Sequence, residues 1–295
     1  MFQSAMSGLA KKGRWLVFAA AVLAAPAGAS ERITWLMPEF ALFDGQTRGQ
    51  SRKGMVEPMA DYLIRHWPEA EHEVVIANVK RSWRMIEAGE PACHLVSLRT
   101  PEREQLAYFA NTHLVPPAQL IVRRAKLAQV PRGPGGEVDL HRLLSEGRLR
   151  GALIEGRSYG ATLDAQLARR PARSIDLYAP ADFGGRLLHM VALGRADFSI
   201  DFDFTLQFQR QQSKVLNELV SMPIQGSSEL LQSGVACPHT EWGRQTAARV
   251  EKLFGTPAGV AALKSIFDLW LTPEARATYG ARINADYADR LPSRK

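Results

Sequence analysis

Short apolar runs alternate with amphipathic stretches along this chain, and that alternation constrains its fold more than any other feature. Residues 33–37, 73–79, 95–98 and 119–122 read as strands. Between them, residues 55–67 place Met55, Met59, Tyr62 and Leu63 at helical spacing, and residues 82–88 form a short helix ended by Gly89. Residues 101–108 are a third helix, opened by Thr100 as cap and Pro101 at the first helical position. Strands that alternate with helices predict an α/β domain with a largely parallel sheet. The stretch QVPRGPGGEVD then crowds proline and glycine together, which predicts a loop and a change of domain. It lacks the Gly-Lys-Ser/Thr ending and the preceding strand of a phosphate loop.

A second series follows. Residues 151–154, 175–178 and 198–202 read as strands, with helices starting in EGRSYGATLDAQL, where Ser158 is the expected cap, and over residues 180–193. Phe198, Ile200 and Phe202 share one face of their strand, and Ser199 and Asp201 the other. ELVSMPI and SGVACPH are apolar again, and helices are expected over 245–254 and 260–271. There is no internal repeat and no low-complexity tract.

The N-terminus points to a compartment. Lys11, Lys12 and Arg14 precede an apolar run over residues 15–25 that is short for a membrane span, and Ala27-Gly28-Ala29 supplies a small-x-small pattern. This reads as a secretory signal peptide over residues 1–29, cleaved after Ala29, and places the mature chain in the periplasm. No cysteine follows the run, so no lipid attachment is expected. The chain carries 37 Lys+Arg against 30 Asp+Glu; without Lys11, Lys12 and Arg14 the balance is 34 against 30. These charges are scattered and form no basic stripe interleaved with aromatics, which excludes a nucleic-acid partner. The two cysteines, Cys93 and Cys237, predict one disulfide in an oxidising compartment, the alternative being two unrelated buried thiols. Cys93-His94 and Cys237-Pro238-His239 fit no zinc spacing, and neighbouring residues of a strand face opposite ways, so neither metal nor cofactor is expected.

Arg103 is out of place by charge, because the first turn of a helix favours acids. Either it is an exposed arginine paired with Glu102 or Glu104, or an anion completes it. The wider pattern bears on this. CHLVSLRTPEREQLAYFANTHLVPPAQLIVRR resembles the type II periplasmic solute-binding proteins of the amino-acid-binding family (extracellular solute-binding family 3). GALIEGRSYGATLDAQL looks like the first strand and ligand-facing helix start of that family's second lobe. ALGRADFSIDFD is similar to its Gly-Arg-x-Asp strand, and SGVACPHTEWGRQTAARVEKL to its return strand and following helix.

The resemblance implies two lobes, each a mostly parallel sheet flanked by helices, that close on a small solute about a two-strand hinge, a motion general to periplasmic binding proteins. It implies lobe 1 over residues 30–122 and 232–295 and lobe 2 over 123–231. It implies that Arg103 clamps a ligand carboxylate through its planar fork, with Ser158 supporting from the facing lobe. Asp201 or Asp203 would meet an amine, Phe40 would wall the ligand with Glu39 nearby, and Arg157 would be a second anion contact. The ligand is then anionic or zwitterionic, and the partner an ABC permease or a membrane sensor, with the protein itself a monomer. The family's two strands that hold Cys93 and Cys237 are antiparallel neighbours, which brings the cysteines together. Two alternatives remain from the residues: an enzyme on this scaffold, such as a dehydratase of a prephenate-like acid, which needs a poised carboxylate among Glu39, Asp201 and Asp203, and a ligand-free protein-interaction module.

Overall fold

Residues 31–38, 56–180, 182 and 184–291 are described in a computed structural model. The expected signal peptide, Met55, Glu39 and Phe40 lie outside the described residues. The first half of the chain runs β1 (Arg32–Met37), α1 (Glu57–His66), β2 (Glu71–Ile76), α2 (Val79–Glu87), β3 (Ala92–Leu98), α3 (Pro101–Glu104) and β4 (Ala107–Val115). It continues as β5 (Gln119–Arg123), α4 (Leu140–Glu146), β6 (Gly151–Ile154), α5 (Ala161–Ala168), β7 (Ile175–Tyr178), α6 (Gly185–Ala192), β8 (Phe198–Asp201), α7 (Asp203–Arg210) and β9 (Leu219–Met222). The last part is β10 (Leu231–Pro238), α8 (Glu241–Phe254), α9 (Pro257–Phe267) and α10 (Pro273–Asp289).

The strands form two five-stranded sheets, ordered β2-β1-β3-β10-β4 and β7-β6-β8-β5-β9. In each sheet one strand opposes the rest. β10 is antiparallel to both β3 and β4, and β5 is antiparallel to both β8 and β9. The chain passes between the sheets twice, at residues 116–118 and 223–230. Pro116 and Pro117 suit the first crossing, because proline cannot donate to a ladder and holds an extended backbone. No helix among the described residues is long and apolar enough to cross a membrane.

Each sheet has its own core. Ile33, Trp35, Leu95 and Val235 pack against Met59 and Leu63 of α1, Phe254 of α8 and Leu263 of α9. Around the second sheet, Leu120, Leu153, Phe198 and Ile200 pack against Leu143 of α4 and Leu163 of α5. Burying each such side chain contributes about 1.5–3 kcal/mol. Cys93 and Cys237 form a disulfide inside the first core, joining adjacent central strands across 144 residues of sequence.

Several elements differ from the sequence expectation. The helix expected over 101–108 is one turn, and Ala107 already pairs with Pro238 in β4. Pairing along both edges of β10 overrides the helical reading of Tyr108 and Phe109, since strand propensity follows context. Val79 opens α2 instead of closing β2, because Asn78 Oδ1 accepts from Arg81 N at 2.8 Å and caps the helix there. α6 starts at Gly185, not residue 180: Gly184, at φ 112°, turns the chain into it, and Asp182 Oδ2 accepts from Arg186 N at 2.8 Å. The Pro/Gly-rich segment after residue 129 folds back on the second sheet's side of the molecule, with Val138 N donating to Pro223 O at 2.9 Å.

Candidate functional site

A cleft opens between the two sheets, walled by β3, the first turn after it, α2, the loop after β6, the start of α7 and the segment after α9. Arg103 stands in its wall. Thr100 Oγ1 accepts from Arg103 N at 3.4 Å, and Pro101 sets the turn, so the side chain rises from the end of β3. Its guanidinium lies 4.7 Å from the Trp83 ring centroid. Nη1 donates to Ser97 Oγ and to Leu98 O, each at 3.2 Å, and Nη2 reaches across to Gly156 O at 3.1 Å. Burial pulls Arg103 down from the ordinary guanidinium value to about 10, partly offset by the Asp164 carboxylate. Glu104 does not pair with it but with Arg99.

Ser158 also lines the cleft, on the opposite side. Its hydroxyl does not cap α5 in the expected way: Gly160, at φ 98°, is the residue before the helix. Ser158 Oγ donates to Asp164 Oδ2 and accepts from Gly160 N at 3.2 Å, while Tyr159 N donates to Asp164 Oδ1 at 2.8 Å. Ser158 and Asp164 thus brace the helix start together. Burial raises the Asp164 carboxyl, against the pull of these hydrogen bonds.

Arg157 lines the cleft, and Asp201 lies behind it. The two form a bidentate pair, with Nη2 to Oδ1 at 2.8 Å and Nη1 to Oδ2 at 3.1 Å. The side chains are 4% and 2% exposed, so this is a buried ion pair. Asp201 Oδ1 also accepts from Phe202 N at 2.7 Å. Burial raises the Asp201 carboxyl, and the Arg157 charge opposes that rise. Gly184 makes room for the pair: a Cβ there would sit 2.3 Å from Asp201 Oδ2. Asp203 is elsewhere, at the start of α7, where its Oδ1 accepts from Ser221 Oγ at 2.6 Å. Of the sequence candidates, the cleft wall therefore contains Arg103, Arg157 and Ser158, with Phe202 where Asp201 and Asp203 flank it.

Other wall residues escaped the sequence reading. His94, Val96 and Leu98 alternate along β3 and face the cleft, and Trp83 of α2 and His113 of β4 join them. His94 is buried, and neither ring nitrogen has a hydrogen-bond partner among the described residues. Nor has Trp83 Nε1. Desolvation, aided by the Arg103 charge, lowers His94 to about 3. His113 falls to about 3 by desolvation and the Arg290 charge; it meets Thr112 Oγ1 at 2.9 Å and stacks on Phe267 at 3.5 Å. The signal for His94 was its place in a strand that is otherwise apolar on that face.

The halves touch around the cleft. Lys80 Nζ meets Glu155 Oε1 at 2.7 Å, Asn78 Nδ2 donates to Ala179 O at 3.4 Å, and the Phe208 and Trp270 rings meet edge to face at 5.0 Å. Together with the bond from Arg103 to Gly156 O, these contacts join the two halves beside the cleft.

No protein-family model matches the sequence, and no curated protein matches it. Among solved structures, a histidine kinase sensor domain with similarity to periplasmic binding proteins aligns over 82% of this chain and 96% of its own, with 14% identity and a TM-score of 0.62. A putative L-cystine ABC transporter protein from Listeria monocytogenes aligns over 83% and 97%, with 14% identity and a TM-score of 0.60. An amino acid ABC transporter substrate-binding protein from Streptococcus pneumoniae, bound to L-arginine, aligns over 89% and 97%, with 12% identity and a TM-score of 0.55. The fold of this chain is therefore the two-lobed, periplasmic-binding-protein-like α/β fold that its motifs resemble.

Proposed function

We propose that this chain binds a small carboxylate-bearing solute between its two lobes, without chemistry, and presents the closed complex to an ABC importer or a membrane sensor. The observation that carries the reading is the setting of Arg103. A guanidinium stacked on Trp83, at the junction of both halves, offers a planar fork to a carboxylate. Its present bond to the Gly156 carbonyl joins the halves in the position an anion would take over. In this reading Ser158 and Arg157 shape the far wall, and residues 1–29 direct the chain out of the cytoplasm. Of the carboxylates an enzyme could use among the described residues, Asp201 is held by Arg157 and Asp203 by Ser221; Glu39 lies outside them.

The test is a thermal-shift screen of the purified mature protein against amino acids and small carboxylates, followed by calorimetry of each hit. A ligand at 100 times its Kd raises stability by about 2.7 kcal/mol. Arg103→Ala should cost about 2–5 kcal/mol of affinity while the protein stays folded. Unchanged affinity in Arg103→Ala contradicts the clamp. Turnover of a bound acid, lost on replacing Asp201 or Asp203, replaces the receptor with an enzyme.

A further inference from the structure

Basic residues that are scattered along the sequence gather at one end of the fold. The loop after β6 walls the cleft, so the start of β6 marks the far end of the second sheet. β7 and β8 run parallel to β6 and start at that end too. β5 runs against β8 and ends there, and β9 runs against β5 and starts there. The segments that meet at this end are 123–129, 146–150, 169–176, 194–197 and 211–218. Together they carry ten Lys or Arg and four Asp or Glu. The remainder of the chain from residue 30 onward carries 24 against 26, so the whole basic excess of the mature chain sits here.

The acids of this end are engaged within it. Asp197 Oδ1 lies 3.7 Å from Arg123 Nη2 and 3.5 Å from Lys126 Nζ, and its Oδ2 accepts from Arg150 N at 3.0 Å. Asp176 Oδ1 accepts from Arg150 Nη2 at 2.7 Å. Glu146 pairs with Arg142 at 3.0 Å. Arg124, Arg169, Arg173 and Arg195 are exposed, and none of them forms an ion pair among the described residues. The charge left over is thus presented on guanidinium groups, whose planar forks suit phosphate oxygens. Leu193 is 56% exposed just before Gly194 and Arg195, and Val215 is exposed beside Lys214. Apolar side chains set among cations suit the boundary between anionic headgroups and acyl chains.

We infer that this end of the molecule docks on an anionic phospholipid surface, with the free arginines on headgroup phosphates and Leu193 and Val215 against the acyl boundary. An importer or sensor that reads closure must touch both halves, whereas this end belongs to one half and faces away from the cleft. The four free arginines are fixed by no ion pair, so their forks can follow headgroups that diffuse in the plane. Each cation near such a surface strengthens binding about fivefold. Salt screens the attraction, with a Debye length of about 8 Å at 0.15 M and about 3 Å at 1 M. The attachment would leave the cleft free, and it does not depend on what the solute is.

The test is co-sedimentation of the mature protein at pH 7 with vesicles of equal parts phosphatidylglycerol and phosphatidylcholine, and with vesicles of phosphatidylcholine alone. The expected result at 0.15 M salt is binding at least tenfold tighter to the anionic vesicles, lost at 1 M salt. The variant Arg124→Gln/Arg169→Gln/Arg173→Gln/Arg195→Gln should weaken this binding by at least thirtyfold, with its circular dichroism and melting temperature unchanged. Arg65→Gln/Arg81→Gln/Arg84→Gln/Lys252→Gln, which removes as many exposed cations from α1, α2 and α8, should stay within threefold. Equal binding to both vesicles, or persistence at 1 M salt, overturns the inference on the wild type alone. An equal loss in the two variants also overturns it, because the attraction then follows net charge and not this end. No binding to the anionic vesicles, with salt-sensitive binding to poly-L-glutamate that the first variant loses, overturns it in favour of an acidic polypeptide partner.

Discussion

Arg157 and Asp201 show how a residue pair can redirect a site. The sequence offered them as two ligand contacts, one for an anion and one for an amine. In the structure they satisfy each other through two hydrogen bonds in a nearly sealed position. Removing one partner of such a pair leaves a buried charge and costs about 3–5 kcal/mol, whereas replacing both with apolar side chains is often neutral or stabilising. Urea unfolding should therefore show Arg157→Leu destabilised by about that amount and Arg157→Leu/Asp201→Leu restored most of the way. Equal losses in both would show that the pair is not a closed electrostatic unit. The buried histidines give a second residue-scale expectation. His94 and His113 are near 3 when folded, against an unfolded value near 6.5. Between those values the unfolded chain binds more protons, so stability rises with pH across the window and is lost as pH falls from 6.5. Going from pH 7 to pH 5 should cost about 2 kcal/mol for each histidine. His113→Leu should remove about half of the step in urea melts at the two pH values. A pH-independent wild type would contradict the neutral, buried rings.

At the scale of elements, the strands that are buried on both faces were the legible ones. β6 lies where residues 151–154 read as a strand, a run buried at every position, and β7 also matches residues 175–178, although Asp176 interrupts it and Leu177 is exposed. Caps were legible only in part. Thr100 does open a helical turn, but nothing local says that it ends at Glu104; β10, more than 120 residues later, decides that by pairing with Ala107 onward. α4, α7 and α10 were not read as helices at all, and α10 is the longest helix among the described residues. It has Pro273 in its first turn and Thr272 as cap, yet its buried residues are sparse, so its periodicity is weak. The disulfide belongs to this scale too, since it ties β3 to β10. In the chain-entropy model, closing a loop of 144 residues stabilises by roughly 5 kcal/mol. Cys93→Ala/Cys237→Ala should lower unfolding stability by about that amount and change ligand affinity little, because the bond lies in one core and not across the cleft. Unchanged stability under reducing conditions would contradict it.

For the whole molecule, two lobes and a cleft were legible from motif order, whereas the character of the cleft was not. Arg103 announced itself as a cation in a helix's first turn. Trp83, His94 and Phe202 gave no such sign, because in sequence an aromatic or a histidine on an apolar face looks like core. They become site residues only when the chain's two crossings bring the second sheet over the first. The contacts that join the halves are modest: Lys80 with Glu155 is an exposed pair, of the kind worth about 0–1 kcal/mol. A solute that bridges the lobes at Arg103 would then contribute much of the preference for closure, since a ligand shifts an equilibrium only by its differential affinity for the two states. The most direct measurement is a crystal structure of the mature protein with the tightest acid from the thermal-shift screen. The carboxylate should lie within hydrogen-bond distance of the Arg103 guanidinium, in place of the Gly156 carbonyl, with both lobes in contact with the ligand. A ligand bound away from Arg103, or a cleft that stays empty with Arg103 still on Gly156, would contradict the clamp.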